Sequence, residues 1–222
     1  MITKDNYIVQ NYSNLYASIS KIFYPKNYED IFEVLNYAKE KKLKVLCIGS
    51  SLSWFDTILN TNNILINLKN FQRTFILDKQ ANILTVSTNY KVNEIIDKLS
   101  GKELSLYSLP GHLEVTIGGC VANDVHGKDT FKFGNFGENI LEVEIVLANN
   151  EIVTCSNSSN KELFLSTIGG LGLTGIITKI KVNLKKISKY YETSIYPCKD
   201  YKELIKNLYQ QKKKNMILYM GG

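Results

Sequence analysis

Histidine, tryptophan and proline are scarce in this chain, with two, one and three copies among 222 residues. The four cysteines, Cys47, Cys120, Cys155 and Cys198, lie far apart and form no Cys-x-x-Cys or Cys/His spacing. That excludes a zinc site and leaves reduced thiols and no metal as the expectation. No apolar run approaches the roughly 18 residues of a membrane span, and Met1 to Asn6 has no apolar core of a signal peptide. A cytoplasmic protein, at most peripheral to a membrane, is therefore expected. Net charge is +6, yet arginine is scarce and joins no aromatic cluster, so the surplus lysine reads as a solubilising surface rather than a nucleic-acid interface. The G-x-G-x-x-G fingerprint and the Walker loop are also missing, which excludes two common nucleotide folds.

What is present is ordinary bulk and unusual glycine. The apolar fraction is 44% and the charged fraction 22%, enough for one large domain or two small ones that bury roughly 70% of the unfolded surface. The stretch from Leu109 to Lys128 holds a Pro110-Gly111 turn, the Gly118-Gly119 pair and the His126-Gly127-Lys128 triplet, and both histidines, His112 and His126, fall inside it. Without a Cβ, glycine lets backbone bend sharply and approach a ligand closely. Such a loop can present N–H groups to a phosphate or a planar ring, although on pattern alone a tightly packed buried turn fits equally well.

Around this stretch the pattern is mixed. Residues 1–24 are aromatic and polar and read as an irregular arm ending in a short strand. A helix over about 28–42 has Asn27 as N-cap, Asp30 in a capping-box position, and Ile31, Val34, Leu35 and Ala38 on one face. A strand from Lys44 to Ile48 runs into the loop Gly49-Ser50-Ser51-Leu52-Ser53-Trp54. Strands follow near 64–68, 74–78 and 83–87, then a helix over 91–99, strands at 140–147 and 151–154, a short helix near 161–166 and a long strand over 175–184. A last helix, 201–213, carries Asp200 as N-cap, and Met216 to Met220 opens like another strand. The fold class is α+β: a β-α-β-β unit over about 25–80 precedes a larger mixed sheet over 83–185. The glycine loops sit at the joins, where ligands often bind.

In their order along the chain, Gly49-x-x-x-Ser53-Trp54-x-Asp56, Leu109-Pro110-Gly111, Val115-Thr-Ile-Gly-Gly119, Asp124-Val-His-Gly-Lys128, Gly134-x-Phe136-Gly137 and Gly169-Gly-x-Gly-Leu-Thr-Gly-Ile-Ile177 resemble the FAD-binding domain of the vanillyl-alcohol-oxidase superfamily, also named after p-cresol methylhydroxylase. Within it the resemblance is nearest to the decaprenylphosphoryl-β-D-ribose 2′-oxidases. It implies a two-subdomain FAD-binding fold of the p-cresol-methylhydroxylase type over 25–185, with residues 186–222 as the start of a substrate or cap domain that is largely missing.

The resemblance also implies roles. Gly49, Ser50, Ser51, Leu52, Ser53 and Trp54 would wrap the FAD pyrophosphate. Pro110, Gly111, Thr116, Gly118, Gly119, Ala122 and Asn123 would line the flavin and its phosphates, and Thr174 and Ile177 would hold the adenine side by main-chain contacts. His126, with Gly127, would face flavin and substrate, and Lys128 would offer a cation to a phosphorylated sugar; a structural histidine beside the flavin is the equal alternative for His126. Sugar-lactone and alditol oxidases of the superfamily often carry a histidine in the first loop that bonds covalently to flavin. Leu52 stands there, so non-covalent FAD is expected.

The implied activity is oxidation of a secondary hydroxyl on a sugar, with a polyprenyl-phosphate-linked pentose as substrate and a separate NAD(P)H-dependent ketosugar reductase as partner. An oxygen-using aldonolactone oxidase and a catalytically silent FAD-binding module are the alternatives.

Overall fold

The computed structural model describes residues 1–190 and 195–212, so the strand expected at Met216 lies outside the described residues. The described residues build two sheets. The first contains β1 (Ile2–Gln10), β2 (Ala17–Tyr24), β3 (Val45–Ile48) and β4 (Ile64–Asn67) in the order β1-β2-β4-β3. The β1–β2 pair is antiparallel, and β2, β4 and β3 run parallel. Residues 1–24 are thus a hairpin of this sheet and not an irregular arm. β1 escaped notice because only Val9 on it is buried, so it carries no alternating apolar signal.

α1 (Tyr28–Lys41) crosses between β2 and β3. The Asn27 side chain accepts from the Asp30 N–H at 2.9 Å, and the Asp30 carboxylate accepts from the Lys26 N–H at 2.8 Å, so the reciprocal bond lands one residue before the cap. Lys42, in the left-handed region at φ 54°, ends the helix. Ile31, Val34 and Ala38 pack against Phe23, Ile64 and Ile66 of the sheet, and this cluster also takes in Val146 and Ile176. At about 1.5–3 kcal/mol for each large side chain withdrawn from water, that face dominates the docking of α1.

The second sheet contains β5 (Phe75–Asp78), β6 (Ile83–Ser87), β7 (Leu104–Leu106), β8 (Ile140–Val146), β9 (Ile152–Ser156) and β10 (Ile176–Lys186). Its order is β5-β6-β10-β8-β9, with β7 also paired to β10, and every pairing is antiparallel. The mixed sheet is therefore the first one. Because β5 pairs with β6, the boundary between the two units falls before Phe75 and not at about residue 80. α2 (Val92–Leu99), α3 (Ile117–Ala122) and α5 (Lys161–Thr167) contribute Val92, Ile95, Ile117, Val121 and Phe164 to the main core on this sheet. The short α4 (Thr130–Phe133) follows the His126 turn, and α6 (Tyr201–Lys212) starts after Asp200, whose carboxylate accepts from the Glu203 N–H at 2.9 Å.

Candidate functional site

The first loop leaves the C-terminal end of β3, where parallel strands commonly present ligands. It is tied at both ends. A Cβ on Gly49 would stand 2.2 Å from Thr116 Oγ1, so glycine is needed for the loop to lie against α3. Asn67 Nδ2 donates to the Gly49 carbonyl at 3.0 Å, and Ser50 Oγ to the Glu114 carbonyl at 2.6 Å. At the far end the β1–β2 turn grips the chain. The Tyr12 N–H donates to the Ser53 carbonyl at 2.8 Å, and Asn11 Nδ2 to that of Trp54 at 2.7 Å. Between these anchors Ser51 takes φ 58°. No described residue accepts a hydrogen bond from the Ser51, Leu52 or Ser53 N–H. Successive N–H groups around a left-handed residue form a concavity that suits an anion.

The facing wall is the start of α3. Thr116 caps it, its Oγ1 accepting from the Gly119 N–H at 3.3 Å. Gly118 is pressed on Thr88, where a Cβ would lie 2.9 Å from Thr88 Cβ. Thr88 Oγ1 in turn donates to the Ile177 carbonyl at 2.5 Å. Gly172, Gly175 and Ile177 complete this side, and the two walls enclose a cleft of about 810 Å³, a size suited to a cofactor. Cys47 and Cys120 also line it. Burial pushes both thiols up to about 12, so at neutral pH they are protonated, apolar wall groups rather than nucleophiles.

Sequence reasoning missed the charged part of the lining: Lys69, Arg73, Lys91 and Glu94. Arg73 donates to Glu94 at 2.7 Å and lies over the Tyr90 ring. That bond, together with the Lys91 N–H, holds the Glu94 carboxyl below its ordinary range against a smaller push from burial. Asn89 was also missed. Its Nδ2 donates to the Leu68 and Phe71 carbonyls, while its buried Oδ1 has no partner among the described residues. Thr88 and Asn89 follow β6 as Gly49 follows β3, and that strand-to-loop junction was the one available signal.

The cleft brings together Gly49 to Trp54, Thr116, Gly118, Gly119, Ala122, Asn123 and Ile177 of the residues expected to bind the cofactor. Pro110, Gly111, His126, Gly127 and Lys128 do not line it. The turn that carries the last three is tied to its neighbours. Asp124 Oδ1 accepts from the Gly137 N–H at 2.8 Å and Oδ2 from Asn135 at 3.1 Å. The Gly127 N–H donates to Thr130 Oγ1 at 2.7 Å, and a Cβ on Gly127 would sit 2.7 Å from the Ser108 carbonyl carbon. Buried Asp129 pairs with Lys185 of β10 at 2.5 Å. His126 and Lys128 are exposed on this turn. His112 Nδ1 accepts from the Glu114 N–H at 3.2 Å, and its ring meets Tyr12, which meets Trp54. Among the described residues no cluster of histidine, cysteine or carboxylates could hold a metal, and no helix is long and apolar enough to cross a membrane.

Three features of the cleft fit FAD: a loop with three N–H groups that have no acceptor among the described residues, glycines at the close approaches and an unfilled acceptor on Asn89. L-gulonolactone oxidase of Mus musculus is 27% identical over 93% of this chain. Decaprenylphosphoryl-beta-D-ribose oxidase of Mycolicibacterium smegmatis is 27% identical over 71%, and cytokinin dehydrogenase 3 of Arabidopsis thaliana 25% over 85%. The chain spans 46%, 35% and 38% of the length of these three relatives. The profile of one family, described as an FAD binding domain, matches residues 19–156, from β2 through β9 with the first loop and α3 included. This chain belongs to that family, and its cofactor is FAD.

Proposed function

We propose that this chain is the FAD-holding part of an oxidoreductase that oxidises a secondary hydroxyl of a sugar, namely a polyprenyl-phosphate-linked pentose at its 2′ carbon, as one step of an epimerisation. The ketosugar product then goes to a separate NAD(P)H-dependent reductase. The observation that carries this reading over a lactone oxidase is Leu52 in the cleft wall, where sugar-lactone and alditol oxidases of the superfamily often carry a flavin-linking histidine.

FAD bound in the cleft would supply an acceptor for the hydride that leaves the hydroxyl-bearing carbon, while the hydroxyl proton passes to a base or to water. The Ser51–Ser53 N–H groups and the serine hydroxyls hold the pyrophosphate, and their fixed orientation spares reorganisation when charge binds. Gly118 and Gly119 let α3 lie close to the cofactor. Pro110, Gly111, His126 and Lys128 lie outside the cleft wall, and the resemblance alone supports their proposed roles: Pro110 and Gly111 would border the flavin, His126 would hydrogen-bond flavin or substrate, and Lys128 would receive the substrate phosphate. The flavin is held without a covalent bond, since leucine has no nucleophilic atom.

Acid precipitation of the purified yellow protein tests this. Free FAD in the supernatant is expected; colour retained in the pellet overturns the non-covalent reading. Oxidation of a lipid-linked pentose at the 2′ carbon, with a keto product, is the expected activity. The L-gulonolactone oxidase match over 93% of the chain favours a second reading, an oxygen-using lactone oxidase. Peroxide formed from free aldonolactones would establish that one instead. FAD binding with turnover of neither substrate class would leave a silent FAD-binding module.

A further inference from the structure

Strict alternation fails on β10 at the cleft. Ile176, Ile177 and Thr178 are all buried, whereas a flat strand sends every second residue to the other face. The pairing with β8 shows why. Ile177 faces Ile145 and Lys179 faces Glu144, so Thr178 is the extra residue of a bulge. Bulges re-aim side chains and gather beside binding sites.

This bulge is held by a single carboxylate. Thr178 Oγ1 donates to Glu144 Oε1 at 2.8 Å, Lys179 Nζ donates to Oε2 at 2.7 Å, and the Tyr28 hydroxyl on α1 donates to Oε1. On the cleft side, the Thr88 N–H donates to the Thr178 carbonyl at 3.0 Å and Thr88 Oγ1 to that of Ile177. Thr88 is also the residue on which Gly118 packs. An unbroken run of contacts therefore joins α1, Glu144, the bulge, Thr88 and the start of α3. It links the first unit of the chain to both Ile177 and Gly118 of the cleft.

We infer that Glu144 is a positioning residue for FAD: by clamping the Thr178 bulge between α1 and β10 it sets the wall formed by Ile177 and Thr88, although it does not line the cleft itself. The inference rests on the reading that this cleft holds the cofactor. Loss of the carboxylate frees Thr178 to swing, lets the bulge relax and misplaces two main-chain groups against which the cofactor packs. Glu142, two residues earlier on the same strand, pairs with Lys181 in an exposed ladder and touches none of this.

FAD dissociation constants of the full chain, read from quenching of flavin fluorescence well below each variant's melting temperature, test the inference, with melting of the FAD-free protein measured in parallel. Glu144→Ala is expected to weaken FAD binding at least tenfold. Glu144→Gln, which still accepts from Tyr28 and Thr178, should restore it to within threefold of the parent, and Glu142→Ala should leave it unchanged. A merely structural role would lower the melting temperature of Glu144→Ala and leave the affinity of the folded molecules intact, and that result overturns the inference. If Glu144→Ala does not fold, Thr178→Val answers in its place: a fivefold or larger loss of affinity supports the clamp, and parental affinity refutes it. Gly118→Val separates the two levels. If it binds FAD like the parent, the cleft reading fails; if it loses FAD while Glu144→Ala and Thr178→Val keep it, only the clamp fails.

Discussion

The Gly49–Trp54 loop and the Asp124–Asp129 turn are both short glycine-containing segments of the motifs that the sequence carries. Their hydrogen bonds separate them. The loop is anchored at its ends and leaves the Ser51, Leu52 and Ser53 N–H groups without acceptors among the described residues. In the turn the Gly127 N–H is taken by Thr130, and the Asp124 and Asp129 carboxylates are taken by Gly137, Asn135 and Lys185 of β10. Three successive N–H groups with no acceptor among the described residues leave the loop able to receive an anion or water, whereas the turn is a scaffold tied to its neighbours, on which His126 and Lys128 stand exposed.

The sharpest way to break this contrast is Asp129→Ala. It strands the Lys185 ammonium, whose side chain is only 16% exposed, and should cost about 3 kcal/mol of stability. Urea unfolding would show the loss, while FAD affinity of the native fraction stays near that of the parent. Gly49→Val does the opposite. Its Cβ meets Thr116 Oγ1, and displacing the loop from α3 should weaken FAD binding roughly 10- to 100-fold, by analogy with the cost of overpacking. Titration with free FAD measures it. Ser51→Val, a β-branched residue forced to positive φ, should weaken binding about fivefold, and Ser51→Gly should stay within about twofold.

The smallest effect is one of pH. Burial pushes the Glu144 carboxyl up, but hydrogen bonds from Lys179, Tyr28 and Thr178 outweigh it and leave the group below its ordinary range. A depressed carboxyl contributes stability above its unfolded pKa of about 4.3 and loses it as pH falls through the folded value. The urea midpoint should drop on acidification below pH of about 4.3, and less so in Glu144→Gln. At the other extreme Tyr28 is pushed up to about 12, by burial first and then by the Glu144 carboxylate. Its contribution is complete below the unfolded value of about 10 and disappears as pH rises through about 12.

Local signals were legible in the sequence and non-local ones were not. Asn27, Asp200 and the apolar face of Ile31, Val34 and Ala38 announce α1 and α6, because capping and periodicity act within one turn of helix. α3 was read as loop, since six residues with two adjacent glycines give no periodic pattern. The first loop, Thr116 and the Gly118-Gly119 pair, which line the cleft, were singled out through the ordered motifs of the resemblance, since the glycine pattern alone fits a packed turn equally well. Lys69, Arg73, Asn89 and Glu94 were not, because their place in the cleft depends on which strands pair. The Glu144 clamp joins residues 28, 144 and 178, and no window of sequence contains all three.

β10 has a further consequence for the order of assembly. This strand runs down the middle of the second sheet and pairs with β6, β7 and β8, yet it is made after all of them. During synthesis at roughly 5–20 residues per second, the β5–β6 and β8–β9 hairpins can close locally while the seam between them stays open. Gly175 and Ile177, which complete the cleft, arrive with that strand. The cleft is complete only once β10 is seated, and until then the nascent chain carries two unpaired sheet edges that invite chaperones or aggregation.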